Sequence, residues 1–166
     1  MRSVCLTALL FSLLAAQSSL ADVIGVHRDW VAVTSINGKQ KTCMMWSQPK
    51  KSEGYKGKRG DVFAFVTHQP AEKRLDRVSF ENGYHMGKPA AVQVKVGDQT
   101  FALSASGTGA WARNGTDDAA LIKVMRAGNT MTVVAKGPGG ETVKDSYSLS
   151  GFTAAYNAIS AACKVR

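Results

Sequence analysis

The chain has 166 residues, of which 45% are hydrophobic and 20% are charged. These values are typical of one folded globular domain, and they exclude a large multidomain enzyme, a polytopic membrane protein and a disordered chain. The formal net charge of +9 predicts an anionic partner, such as nucleic acid, anionic lipid, an acidic polysaccharide or an acidic protein.

The first residues have the pattern of a secretory signal peptide. Arg2 precedes an apolar run over residues 4–16, and Ser19 and Ala21 are the small residues that precede a cleavage site. An uncleaved membrane anchor is the alternative, but the apolar run is short for a span that needs about 20 residues. We therefore predict that residues 1–21 are a signal peptide.

Removal of this segment leaves a single mature domain over residues 22–166, with two cysteines, Cys43 and Cys163. Two thiols tend to pair in an oxidising compartment. The alternative, a redox-active or nucleophilic thiol, is opposed by the absence of a C-x-x-C motif. We predict a Cys43–Cys163 disulfide and no later membrane-spanning segment. The expected location is the periplasm, with secretion or association with the outer envelope as alternatives.

Short runs of β-branched and aromatic residues, separated by turn signals, predict about eight strands. In chain order these cover residues 30–34, 41–47, 61–68, 74–80, 91–96, 99–105, 129–136 and 141–149. The turn signals Asn37-Gly38, Asn82-Gly83 and Gly97-Asp98 contain residues that tolerate the positive φ of tight hairpins. Hairpins between strands that are neighbours in sequence predict antiparallel pairing.

Two helices interrupt the predicted strands. The first covers residues 116–126, with Thr116 as its N-cap and acidic residues in its first turn. The second covers residues 152–163, in which apolar residues recur at helical spacing. The predicted fold is therefore mainly β, an antiparallel β-sandwich or barrel of about eight strands with a short inserted helix and a C-terminal helix on the sheet.

Positive charge is concentrated between residues 39 and 59, where Glu53 is the one acidic residue. We name residues 48–60 the basic segment. Its candidate residues for binding an anionic partner are Lys50, Lys51, Tyr55, Lys56, Lys58 and Arg59. In this hypothesis the Tyr55 ring stacks on a sugar or a lipid headgroup. The alternative is a solvated loop that only keeps the protein soluble. Nucleic acid meets the same electrostatic requirement, but export makes it an unexpected partner.

No motif in the sequence predicts catalysis. His27, His68 and His85 are too far apart for the usual spacing of zinc ligands. Residues 47–50, Ser-Gln-Pro-Lys, match the S-x-x-K pattern of penicillin-interacting serine enzymes. Pro49 and the adjoining strand oppose the helix that this mechanism requires. We predict no catalytic residue, no bound metal and no cofactor.

Four segments together resemble the bacterial invasion-associated locus B family. They are Asp29-Trp30-Val31-Ala32-Val33, Cys43-Met44, residues 118–128 and residues 148–155. This resemblance implies a periplasmic or envelope-associated β-sandwich that is linked, in pathogenic members, to host-cell entry. It implies no catalytic residues.

The predicted function is that of an exported, non-enzymatic binding or interaction protein of the bacterial cell envelope that contributes to host-cell invasion. Its expected partner is an anionic component of the envelope or of the host surface. A periplasmic inhibitor or chaperone-like protein is one alternative, and a cell-wall hydrolase is another. The sequence leaves the identity of the ligand and the oligomeric state open.

Overall fold

The computed structural model describes residues 21–87 and 90–165. The predicted signal peptide therefore lies outside the described residues, except for Ala21. The protein is 50% strand, with antiparallel pairing and two helices. This confirms the predicted fold class. No helix in the two described ranges has the length and apolar character needed to cross a membrane.

Eleven strands lie in the described part of the chain, in place of the eight predicted. They are β1 (Ala21–His27), β2 (Trp30–Asn37), β3 (Gln40–Ser47), β4 (Lys51–Glu53), β5 (Phe63–Gln69), β6 (Arg74–Glu81), β7 (Val92–Val96), β8 (Gln99–Ser106), β9 (Gly109–Trp111), β10 (Thr130–Lys136) and β11 (Thr142–Ser148). The helices are α1 (Gly115–Ala127) and α2 (Phe152–Ala162), and a short 3₁₀ turn (Pro70–Glu72) joins β5 to β6. The sequence prediction missed β1, β4 and β9.

The strands form one open sheet in the order β1-β2-β3-β5-β6-β9-β8-β7-β10-β11-β4. Strands β1 and β4 are therefore its two edges. The sheet folds over on itself, since Phe80 of β6 and Tyr147 of β11 have ring centroids only 6.4 Å apart. Inward-facing residues from both halves of the sheet and from both helices belong to one hydrophobic core.

Helix α1 begins one residue earlier than predicted, and its cap is different. The side chain of Asn114, rather than Thr116, accepts a hydrogen bond from the backbone N–H of Asp117 at 2.9 Å. This cap satisfies one of the free N–H groups of the first turn. Leu121 and Met125 then bury the inner face of the helix against the sheet.

Helix α2 covers the part of the sheet formed by β1, β2 and β3. Phe152 packs edge-to-face on the fully buried Trp30, with ring centroids 5.0 Å apart. A pair of this kind adds about 0.5–1.5 kcal/mol beyond the area that it buries. Gly151, just before the helix, has a φ of 90° and lies against the backbone carbonyl of His27. A Cβ there would collide with that carbonyl, so the close approach of α2 to β1 requires glycine.

The predicted disulfide is present and joins β3 to the end of α2. Cys43 and Cys163 have Cα atoms 5.9 Å apart and are separated by 120 positions in sequence. Both residues are buried in the core. The bond therefore fixes the C-terminal helix to the second hairpin of the sheet.

We expect that reducing this disulfide lowers Tm by about 10 °C, because the unfolded chain regains the freedom of a long loop, worth about 4–5 kcal/mol. Scanning calorimetry with and without a reductant measures the shift. A double variant, Cys43→Ala with Cys163→Ala, should melt close to the reduced protein. Two free thiols, detected by mass spectrometry after alkylation of the denatured, non-reduced protein, would contradict the pairing.

Candidate functional site

The basic segment is held on the edge of the sheet rather than projecting as a free loop. Its residues Lys51–Glu53 form β4, which pairs with β11. The backbone N–H of Lys50 donates to the carbonyl of Ser146 at 2.7 Å. Gly54 follows with a φ of 89°, and a Cβ at this position would strike the carbonyl of Thr142. Glycine is therefore needed where the segment leaves β11.

Arg59 anchors the other end of the segment through a buried ion pair with Asp145. Its guanidinium donates to both carboxylate oxygens, at 2.8 and 2.5 Å, and its Nε donates to the carbonyl of Asn82 at 2.7 Å. The two side chains are 12% and 3% exposed. Burial lowers the pKa of Arg59, but the hydrogen bonds and charge of Asp145 outweigh burial and hold that pKa above its usual value.

The same guanidinium also lies close to two stacked tyrosine rings. Tyr55 and Tyr84 stack with centroids 4.6 Å apart, and the Arg59 guanidinium lies 5.9 and 5.1 Å from their centroids. Burial raises the pKa of Tyr84 to about 12. The sequence predicts both Tyr55 and Arg59 to be residues for binding an anionic partner. In the structure they also contact Tyr84 and Asp145, and these contacts hold the segment in place.

The four lysines of the segment remain at the surface. Lys50 forms an ion pair with Asp29 at 2.5 Å, and Lys51 forms one with Glu53 at 2.9 Å. Lys50 and Lys51 are still 59% and 67% exposed. Exposed pairs of this kind contribute about 0–1 kcal/mol, so they do not prevent a lysine from binding another anion. Lys56 and Lys58 are also exposed.

A concave surface of about 600 Å³ lies on the outer face of β7, β10 and β11, beside β4. Sequence analysis did not single it out. We name it the lysine–hydroxyl groove, and its polar lining consists of Gln93, Lys95, Thr130, Thr132, Lys144 and Ser146. Strand register places Lys95, Thr132, Ser146 and Lys51 directly opposite one another, in a row across four strands. The groove therefore connects the basic segment to two further lysines.

The alternation of apolar and polar residues around Lys95 could have indicated its outward position from sequence, but the charged Asp145 beside Lys144 obscures this pattern. Lys95 lies between the buried Val94 and Val96, and Lys144 lies between the buried Val143 and Asp145. Both lysines must therefore point outward. No sequence signal, however, reveals that β7 and β11 are separated only by β10.

The fold also brings together a serine, a histidine and an aspartate. His68 is fully buried, and its Nε2 lies 3.2 Å from Ser160 Oγ. Its Nδ1 accepts a hydrogen bond from the backbone N–H of Asp76 at 3.1 Å. The Asp76 carboxylate accepts instead from the Tyr156 hydroxyl, at 2.6 Å.

This geometry does not activate the serine. Because Nδ1 accepts a hydrogen bond, the proton of the neutral His68 ring is on Nε2, which donates to Ser160. A catalytic triad needs the opposite tautomer, with Nε2 free to accept the serine proton. Burial lowers the pKa of His68, and the charge of Asp76 raises it by less. The ring is therefore neutral and structural.

The other residues considered for catalysis or metal binding lie in separate segments of the fold. Ser47 is buried on β3 and donates to the carbonyl of Asp29 at 2.6 Å, so the S-x-x-K match does not lie on a helix. His27 ends β1, and His85 is exposed. Within residues 21–87 and 90–165, no group of three or more His, Cys, Asp or Glu side chains has the arrangement of a metal site.

Two comparisons relate the chain to known proteins. The family model for Invasion associated locus B (IalB) protein matches residues 30–160, which is most of the chain. The crystal structure of invasion associated protein B from Bartonella henselae is similar, with a TM-score of 0.59 and 19% sequence identity. The similarity covers 88% of this chain and 99% of that one, and at this identity it shows a shared fold. A comparison with curated proteins finds no match.

We predict that Arg59→Ala lowers the free energy of unfolding by about 3–5 kcal/mol, because it leaves the Asp145 carboxylate buried without a cationic partner. Urea unfolding followed by fluorescence measures this change. Lys58→Ala, one residue away and exposed, is the matched control and should change stability by less than about 0.5 kcal/mol. Equal effects of the two substitutions would contradict the anchoring role of Arg59.

His68 should make stability depend on pH. Burial lowers its folded-state pKa from the ordinary value of 6.5. As the pH falls below 6.5, His68 therefore becomes protonated in the unfolded chain before it does so in the folded protein. The free energy of unfolding should therefore be highest above pH 6.5 and fall below it, until the pH reaches the lowered pKa. His68→Gln should remove this component, whereas His85→Gln, at an exposed position, should retain it. Urea unfolding across this pH range tests the difference, and an unchanged slope in His68→Gln would refute it.

Proposed function

The chain belongs to the Invasion associated locus B family, and on this basis we propose that it is a non-enzymatic binding protein of the bacterial cell envelope. It engages an anionic component of the envelope or of the host surface through the exposed lysines of the basic segment. The observation that carries this proposal is the internal pairing of Arg59 with Asp145, which fixes the segment and leaves its lysines facing solvent.

The charge distribution supports an anionic partner. Lys50, Lys51, Lys56 and Lys58 are exposed along one short segment, within a chain of net charge +9. A concentrated patch of one sign raises both the local concentration of opposite charges and their rate of association. Because the segment is already fixed on the sheet, binding does not have to order a flexible loop.

Export and an envelope location are supported by two features. The first 21 residues have the composition of a signal peptide. The Cys43–Cys163 disulfide fits an oxidising compartment, where such bonds form and persist. Periplasmic location, with release or outer-envelope association as alternatives, is part of this proposal, as is a contribution to host-cell invasion.

The non-enzymatic character of the protein is supported by the buried His68 cluster. A serine, a histidine and an aspartate meet there, but the tautomer directs the histidine proton toward the serine. His68 itself has no exposed surface, and the Asp76 side chain beside it is 32% exposed. A binding function needs no further chemistry from these residues.

We expect a variant with glutamine at positions 50, 51, 56 and 58 to lose most of its binding to anionic vesicles and to soluble polyanions. Wild-type binding should weaken steeply with salt, because exposed charges are screened over about 8 Å at physiological ionic strength. Titration calorimetry at two salt concentrations measures both effects.

The matched control replaces four exposed lysines outside the basic segment by glutamine, namely Lys39, Lys73, Lys123 and Lys164. It has the same net charge as the test variant and should bind nearly as well as the wild type. If both variants lose binding equally, net charge alone is responsible and the proposal for this segment fails. The proposal also fails if the test variant binds as tightly as the wild type.

A further inference from the structure

Resting on the proposed function, we infer that the lysine–hydroxyl groove is the specific binding site and that its ligand is a linear anionic polysaccharide. In this site Lys95 and Lys144 of the groove, with Lys51 beside it, bind the sulfate or carboxylate groups of the chain. The hydroxyls of the groove bind the sugar hydroxyls. The basic segment then provides general attraction, and the groove provides selectivity.

The spacing of the lysines fits an extended ligand. Lys95 and Lys51 end a row that crosses β7, β10, β11 and β4, with one residue from each strand. Three spacings between neighbouring strands amount to about 14 Å. A single phosphate or carboxylate cannot reach both ends, whereas consecutive charged sugars along one chain can.

The chemistry between these lysines fits a sugar. Thr132 and Ser146 occupy the two middle positions of the row, and Thr130 and Gln93 also line the groove. Hydroxyl and amide groups both donate and accept hydrogen bonds, so they match sugar hydroxyls, which do the same. Because all four side chains are at least partly exposed, they are open to a ligand.

The same lining disfavours the other anionic partners. Binding of single-stranded nucleic acid uses aromatic side chains on which bases stack, and the side chains that line this groove are not aromatic. A flat membrane surface does not follow a concave site, whereas a narrow chain can lie along it. The groove therefore selects for a narrow, hydroxyl-rich polyanion.

One acidic residue lies at the edge of the groove. Glu53 is directly opposite Lys144 in the strand register, and it pairs with Lys51 at 2.9 Å. The hydrogen bond and charge of Lys51, with a further contribution from Lys144, lower the pKa of Glu53, so its carboxylate is ionised at neutral pH. An anionic ligand must compete with this carboxylate for both lysines. Removing its charge should therefore strengthen binding.

The main test changes the hydroxyls and leaves every charge in place. Thr132→Val with Ser146→Ala should weaken binding of a sulfated tetrasaccharide about tenfold, from the loss of two hydrogen-bonding groups. Binding of inorganic polyphosphate should change less than about twofold, since it depends on charge alone. The matched control is Thr67→Val with Ser79→Ala, which makes the same exchanges on β5 and β6, in the other half of the sheet. This control should bind both probes as the wild type does.

Two charge variants test the lysines that line the groove and the carboxylate at its edge. Lys95→Gln with Lys144→Gln should weaken binding of the tetrasaccharide at least tenfold, and Glu53→Gln should strengthen it several-fold. Circular dichroism and Tm establish that each variant is folded, and isothermal titration calorimetry measures each affinity.

The outcomes separate this inference from the proposed function. If the glutamine variant of the basic segment loses polyanion binding but the hydroxyl variant binds the tetrasaccharide as the wild type does, the groove inference is overturned and the proposed function stands. An unchanged affinity in Lys95→Gln with Lys144→Gln also overturns it. If the wild type binds anionic vesicles but neither soluble probe, a membrane surface is the partner and the inference fails.

Discussion

The buried ion pair between Arg59 and Asp145 is the interaction on which the candidate site depends. Asp145 points inward from β11, where it receives hydrogen bonds from Arg59 and from the hydroxyl of Ser52 on β4. Its neighbours Lys144 and Ser146 point outward from the same strand and line the groove. One inward carboxylate thus holds the basic segment in place, and the alternation of the strand puts the groups of the inferred site on the opposite face.

The buried charges anchor the basic segment, and the exposed charges are the ones proposed to bind a ligand. A buried ion pair is costly to break, because the remaining partner keeps its charge without solvent. Ion pairs at the surface, such as those of Lys50 and Lys51, contribute little and can be exchanged for contacts with a ligand. In the proposed function, the exposed lysines therefore bind an anion without disturbing the contact that positions them.

Features with a local signal could be predicted from the sequence, and features held by remote contacts could not. The Asn37-Gly38 hairpin, the apolar stripe of α2 and the two mature cysteines each carry their own pattern. Strand β4 has three exposed residues and is held by β11, while Arg59 finds its partner 86 positions away. The turn between β1 and β2 is formed by Arg28 at a φ of 56°, and this position has no glycine to mark it. The basic composition therefore predicted Arg59 to be one of the residues that bind an anionic partner, and no local pattern marks its contact with Asp145.

Backbone contacts explain why Ser160, His68 and Asp76 lie close together without forming an active site. Asp76 has a φ of 59° beside an irregularity in the β5–β6 register, and this backbone turns its N–H toward His68. That single hydrogen bond leaves the His68 proton on Nε2, which donates to Ser160. The Asp76 carboxylate accepts from the Tyr156 hydroxyl instead. Both ring nitrogens of the buried His68 thereby have a partner, as a low-dielectric interior requires. The hydrogen bonds of this cluster therefore stabilise the junction of α2 with the sheet.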